Sequence, residues 1–219
     1  IDTRRATLKI YPNLLSHVAE SVEGLLQRPH GCGEQTLSST YPNLMILKFR
    51  SKSKSGSDIA GSVAKQALKN LQKGYEKLLG YQGADGGFTY WGGNSQSDTA
   101  LTAYALRFLA DAEPFVEVDE KVVAKAAAYL LKQQNSDGSF TQKYSWETTE
   151  NPQRITMITT YITRTLSMLK LSKPNLNKAL AYLKLRNEEI DEPYAIALYA
   201  LASKDAGNVT DFEAATEKL

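Results

Sequence analysis

At 219 residues the chain can hold one large domain or two small ones, and it is long enough to bury a proper core. Its 26 basic and 24 acidic residues leave a formal charge of +2, which gives no reason to expect nucleic acid or an anionic membrane as a partner. The 42% hydrophobic share is ordinary, no apolar run approaches membrane-spanning length, and a single cysteine excludes a disulfide framework or a Cys-based zinc cluster. No cofactor and no metal is therefore expected.

Residues 1–11 alternate weakly through Ala6, Leu8 and Ile10 and read as a linker or the tail of a strand from a preceding domain; residues 12–219 read as the domain proper. From Pro12 the period becomes helical. Leu14, Val18, Val22, Leu25 and Leu26 share a face, and Pro29 should stop that helix. A second helix should follow with Leu37, Leu44, Leu47 and Phe49, kinked or broken at Pro42. Residues 51–57 have the composition of a surface linker. Asp58 should then cap a helix whose stripe is Ile59, Val63, Ala67, Leu71, Tyr75 and Leu78.

An internal repeat comes next. Gln82-Gly-Ala-Asp85-Gly86-Gly87-Phe88 returns as Gln134-Asn-Ser-Asp137-Gly138-Ser139-Phe140. Each copy follows one helix and precedes another. Asp98 opens a helix with Leu101, Tyr104, Ala105, Phe108, Leu109 and Ala112 on one face; the counterpart carries Ile155, Ile158, Ile162, Leu166 and Leu169. Val122, Val123, Ala126, Tyr129 and Leu130 form a helix between them. A degenerate third copy spans Asp191–Ala202, with Tyr194, Leu198 and Leu201, and Phe212–Leu219 begins a further helix. A period of about fifty residues with paired helices predicts stacked helical hairpins and an all-α fold, with little strand after residue 11. Asp85 and Asp137 should only bond to backbone within their turns.

The stretch with distinctive chemistry is Gly31-Cys32-Gly33-Glu34-Gln35. A Cys32 thiolate can attack the Gln35 carboxamide and expel ammonia, leaving a thioester between Cys32 Sγ and Gln35 Cδ. So small a ring needs a tight turn, and Gly31 and Gly33 can take positive φ at little cost. Glu34 lies inside the ring and serves the turn. The competing reading is a small buried hydrophobe beside a surface glutamine.

The motif resembles the signature of the alpha-2-macroglobulin and complement thioester proteins. The likeness extends over Glu23-Gly24-Leu25-Leu26-Gln27-Arg28-Pro29-His30-Gly31-Cys32-Gly33-Glu34-Gln35. The Asp-Gly-Gly-Phe turns are similar to those of α/α toroids, a ring architecture that the family's thioester domains share with terpene cyclases and prenyltransferases. The resemblance therefore implies an α/α toroid of helical hairpins, C-terminally truncated because family domains run longer. It implies an extracellular or periplasmic parent whose export signal and other domains lie outside these residues. It also implies single-turnover acylation, not enzymatic turnover, with amine-bearing target proteins, proteases above all, as covalent partners. Alternatives are an opsonin that tags target surfaces and a toroid scaffold or enzyme with a vestigial thioester.

In complement members that acylate hydroxyls, a histidine after the second Asp-Gly-x-Phe turn relays the acyl group. The matching position here falls near Thr148, and the only histidines are His17 and His30. Attack by amines is thus expected over attack by sugar hydroxyls. A Cys32–His30 dyad is a poor alternative, since neighbours in a turn rarely aim at one point and no orienting Asn or Asp is placed. His17 reads as a surface or rim residue of the first helix. Tyr41, Tyr90, Trp91 and Trp146 either shield the thioester or pack at the core and its rim.

Overall fold

The computed structural model describes residue 8 and residues 24–52, 60–142 and 151–219. The expected strand and first helix, with His17, lie outside these residues, as do Asp58, Ile59, Trp146 and Thr148. Eight α-helices occur among the described residues: α1 (Gly33–Lys52), α2 (Gly61–Leu79), α3 (Thr99–Ala112), α4 (Glu120–Lys132), α5 (Pro152–Met168), α6 (Lys173–Leu185), α7 (Pro193–Asp205) and α8 (Val209–Glu217). They pack as consecutive hairpins, α1 on α2, α3 on α4, α5 on α6 and α7 on α8. The odd-numbered helices also pack on one another in chain order, forming an inner row with the even-numbered helices behind it. The core is one continuous cluster running from Leu37 to Ala215.

The α2 stripe is buried as its spacing predicts, through Val63, Ala67, Leu71, Tyr75 and Leu78. Its start differs: the residue at the N-cap is Ala60, with no side-chain cap, not Asp58. In α3, Asp98 caps as expected, its Oδ1 accepting from the Leu101 N–H at 2.7 Å. Residues 24–30 are not helical, so the helix expected to reach Pro29 does not; there the Gln27 carbonyl accepts from Asn43 Nδ2 of α1 at 2.9 Å instead.

Helix α1 runs through Pro42 as a single element rather than breaking there. Proline removes one backbone bond, to the carbonyl of Ser38, and Ser38 is exposed, so water can satisfy the freed oxygen. Burial of Leu37, Leu44, Ile46 and Leu47 against the core outweighs that loss. The helix also buries Thr36, Ser39, Thr40 and Asn43. Thr40 Oγ1 donates to the Thr36 carbonyl at 2.5 Å and Ser39 Oγ to the Gln35 carbonyl at 2.6 Å, so burial leaves neither hydroxyl unsatisfied.

The two repeat copies close as matching turns. Isolated bridges pair Gln82 with Phe88 and Gln134 with Phe140. The Phe88 N–H donates to Thr102 Oγ1 at 2.8 Å, and the Phe140 N–H to Thr159 Oγ1 at 2.9 Å. Gln82 Nε2 reaches the Val122 carbonyl, as Gln134 Nε2 reaches the Asn175 carbonyl, both at 2.9 Å. Asp85 and Asp137 accept the N–H two residues on, but each also accepts a serine hydroxyl, from Ser97 and Ser139, so they do more than the backbone bonding expected of them. After the first copy alone a strand pair forms among the described residues, β1 (Phe88–Thr89) antiparallel to β2 (Ser97–Asp98), a small hairpin the sequence reading did not anticipate.

The third copy is degenerate to the point of lacking the turn: a 3₁₀ segment, Asn187–Glu189, stands there instead. Helix α7 begins at Pro193 and buries Leu198, whereas Tyr194 and Leu201 are exposed. Its buried face is set by Ala195, Ile196, Tyr199 and Ala202. Helix α8 starts at Val209, ahead of the expected Phe212.

Candidate functional site

Helix α1 is where the singular cysteine becomes useful. The Thr36 N–H donates to the Cys32 carbonyl at 2.8 Å, the first bond of the helical ladder, so Cys32 stands at the N-cap. Gly33, Glu34 and Gln35 are then the first turn of the helix itself. From the third helical position the Gln35 side chain folds back, and its Oε1 accepts from the Cys32 N–H at 3.0 Å. This is the reciprocal half of a capping box, a local geometry that brings the carboxamide to the cysteine.

Gly31 makes room for that return. It has φ of +74°, and a Cβ there would lie 1.9 Å from Gln35 Oε1 and 2.7 Å from Gln35 Cδ. Gly33, by contrast, does not adopt positive φ. It is glycine because a Cβ would lie 2.4 Å from the Thr89 carbonyl oxygen, so the expected conformational role is replaced by one of close approach.

The turn is fastened to the loop beyond α2 at two further points. The Gly33 N–H donates to the Tyr90 carbonyl at 2.8 Å, and Tyr81 Oη donates to the Gly31 carbonyl at 2.7 Å. Cys32 is 9% exposed, whereas Gln35 is exposed, so the carboxamide is open to solvent while the thiol is set back. The positive end of a 20-residue helix lies at this turn. A hydrogen bond from the Cys32 N–H to Oε1 polarises the Gln35 carbonyl and would stabilise negative charge developing there when Cδ is attacked.

The other residues singled out in the sequence separate cleanly. Glu34 Oε1 accepts from Ser38 Oγ one turn on at 2.5 Å, which ties it to the helix start. Tyr90 lies half-buried beside the turn; burial first, then the carboxylates of Asp98 and Glu34, raise its hydroxyl above the ordinary value, so it remains a donor. Trp91 is 77% exposed and packs in no core. Tyr41 is remote from the turn, stacked on Tyr104 at 5.7 Å with its hydroxyl donating to Asp111. The His30 ring is exposed; its backbone N–H, not its imidazole, engages Ser39. No His/Cys/Asp/Glu cluster among the described residues could hold a metal, and no described helix is long and apolar enough to cross a membrane.

Residue-type reasoning missed Tyr81 and Thr89 as supports of the turn and singled out Tyr90 for its ring, not for the backbone carbonyl that holds Gly33. Two of the three act through backbone carbonyls, which carry no residue-type signal. Only the hydroxyl of Tyr81 could have been suspected.

Comparison with known proteins agrees with this picture. A family model described as the A-macroglobulin TED domain matches residues 6–219. Among solved structures, native alpha-2-macroglobulin from Escherichia coli, spanning domain MG7 to the C-terminus, is 22% identical with a TM-score of 0.68, covering 90% of this chain and 30% of that one. Salmonella alpha-2-macroglobulin reacted with methylamine is 22% identical with a TM-score of 0.66, covering 95% of this chain and 13% of that one. The native E. coli protein seen by cryo-EM gives 21% identity and a TM-score of 0.66. The chain thus spans less than a third of the length of these relatives, and the likeness is one of fold.

Proposed function

The chain belongs to the A-macroglobulin TED domain family, and from that footing we propose that Cys32 and Gln35 form an internal thioester which acylates amines of a target protein. The observation that carries the proposal is the return of the Gln35 carboxamide onto the Cys32 N–H at 3.0 Å, over a residue with no room for a Cβ. In forming the bond, the Cys32 thiolate adds to Gln35 Cδ, negative charge gathers on Oε1 against the Cys32 amide, the nitrogen takes up the proton that the thiol released, and collapse expels ammonia. In spending it, an uncharged amine adds to the same carbon, an amide forms, and the Cys32 thiol is released. One acylation consumes the site, so the domain is a single-turnover reagent and not an enzyme.

Proteases that attack the parent are the proposed targets, joined through lysine side chains, in an extracellular or periplasmic setting. The position matching a relay histidine falls near Thr148, and His17 and His30 are the only histidines of the sequence; this supports amines over hydroxyls as nucleophiles. Other domains of a longer parent chain would guard the exposed Gln35 carbonyl from water.

Intact mass of fresh, non-reduced protein with thiol titration tests the reading. The expected result is a mass short by one ammonia with no free thiol, and methylamine then adds to Gln35 while freeing Cys32. A thioester lost to water would leave Glu in place of Gln35, which also records that the bond had formed. Gln35 intact beside a freely titrating Cys32 overturns the proposal.

A further inference from the structure

The inner row of helices leaves an open cavity of about 430 Å³. Its lining includes Tyr41 and Met45 of α1, Tyr104 and Arg107 of α3, Tyr161 of α5 and Tyr194 of α7. The Arg107 guanidinium lies over the Tyr161 ring, 5.5 Å from its centroid. Arg107 Nε is buried and has no hydrogen-bond partner among the described residues.

An arginine in such a place ordinarily has a carboxylate beside it. The carboxylates borne by the inner helices are engaged elsewhere. Asp111, which also borders the cavity, pairs with Lys48 Nζ at 2.6 Å and accepts from Tyr41 Oη at 2.6 Å. Glu34 accepts from Ser38. Asp205 pairs with Arg164 and also accepts from Ser167. Helix α5 carries no acidic residue. A water molecule could satisfy the Nε–H but would leave the charge uncompensated.

We propose that this cavity is a carboxylate-binding site in which the Arg107 guanidinium receives the anion between tyrosine walls. The planar fork suits a carboxylate, which can take two parallel N–H bonds from one edge. The Tyr41 hydroxyl is committed to Asp111, and those of Tyr161 and Tyr194 are the donors that would join the guanidinium. Burial, opposed by the nearby Arg107 charge, raises the Tyr161 hydroxyl to about 12, so it is protonated whenever the anion is present. Met45 and the ring faces supply an apolar surround that excludes a strongly hydrated ion. The carboxylate belongs either to a free small acid or to an acidic side chain of a polypeptide.

The test uses the Arg Nε–Hε cross-peaks of the whole chain, titrated at constant ionic strength with sodium acetate and with a short capped peptide bearing one glutamate. Sodium chloride is the control. The Arg107 peak, identified by its loss in Arg107→Met, is expected to move saturably with both probes and not with chloride. Tighter response to the peptide assigns a polypeptide source, and equal or tighter response to acetate assigns a free acid. In parallel, carboxylate should raise the melting temperature of the wild type but not of Arg107→Met. An Arg107 peak unmoved by either probe overturns the proposal, as does equal stabilisation of the variant. If Arg107→Met fails to fold, assigning the arginine cross-peaks by triple-resonance experiments on the wild type leaves the titration decisive.

Discussion

The turn at Gln82–Phe88 and its counterpart at Gln134–Phe140 share the hydrogen bonds that close them, and of the positions at which their sequences differ the instructive one is Gly87 against Ser139. In the second turn Ser139 Oγ donates to Asp137 at 2.7 Å. In the first, the matching bond to Asp85 is made by Ser97 Oγ, also at 2.7 Å, from strand β2. A Cβ on Gly87 would lie 2.6 Å from Ser97 Cβ and 2.8 Å from Tyr129 Cε1. The first turn has therefore given up its own hydroxyl to let a hairpin fold over it and supply the same bond from outside. That hairpin begins the loop that holds Gly33, through the Tyr90 carbonyl. The same local motif thus works as a self-contained helix connector in one place and as a foundation for the Cys32 turn in the other.

The largest effect should follow from separating the first turn from what it supports. Gly33→Ala pushes a methyl against the Thr89 carbonyl, which is backbone and cannot swing away. If the proposed thioester forms, this variant should keep a free thiol and take up no methylamine, while its circular dichroism stays helical. Uptake of methylamine by Gly33→Ala at the wild-type level would remove the claimed link between the hairpin and the chemistry.

Next come the glycines common to both turns. Gly86 and Gly138 have φ of +92° and +94°. A Cβ would meet the Lys125 carbonyl oxygen at 2.6 Å in one and the Lys178 carbonyl oxygen at 2.2 Å in the other. Alanine at either position should cost about 3 kcal/mol from left-handed strain plus the clash. The loss should be greater at Gly138, where the approach is closer. Urea denaturation of both variants checks the order, and a loss at only one position would show that the two turns are not equivalent.

These two glycines also mark what a sequence can and cannot disclose. The repeat was legible because Asp-Gly and the terminal Phe each do local work, so the same residues recur wherever the turn recurs. The stripe Leu71, Tyr75 and Leu78 was legible because burial on a helix is periodic. The approach of Gln35 to Cys32 was legible because a glutamine three residues past the start of a helix can fold its side chain back onto that start. The buried polar run of α1 was not, since Thr40 and Ser39 are satisfied by carbonyls of their own helix and an apolar pattern does not register them. The role of Gly33 was misread as conformational because the Thr89 oxygen that crowds it is distant in sequence. Tyr194 was grouped with Leu198 and Leu201 of the third copy, although α7 sets it at the open cavity beside Arg107.

Exchanging Gly87 and Ser139 should have a smaller, asymmetric effect. Gly87→Ser inserts atoms into a space already held by Ser97 and Tyr129, an overpacking cost of about 1–3 kcal/mol. Ser139→Gly loses one hydrogen bond and gains chain entropy in the unfolded state, together about 1–2 kcal/mol. Double-mutant cycles of each with Ser97→Ala separate the cases. Ser97 should couple strongly to Gly87→Ser and not at all to Ser139→Gly, and coupling at both would deny that the hydroxyl has two independent sources.

The smallest effect belongs to the second turn's own acid. Burial works against the ionised form of Asp137, but hydrogen bonds from the Ser139 hydroxyl and N–H, aided by the Arg186 charge, outweigh it and hold the carboxyl below its usual range. Because the folded value lies below the unfolded one, the stabilisation is present above the ordinary aspartate range, near about 3.9, and disappears as pH falls through the folded value. Asp137 is largely solvated, so the gain is screened to below about 1 kcal/mol. Asp137→Asn should therefore melt slightly below the wild type at neutral pH, with the gap closing in strong acid. A gap that persists unchanged at low pH would mean that the turn reads the shape of the aspartate and not its charge, and the Ser139 bond would then be an ordinary neutral one.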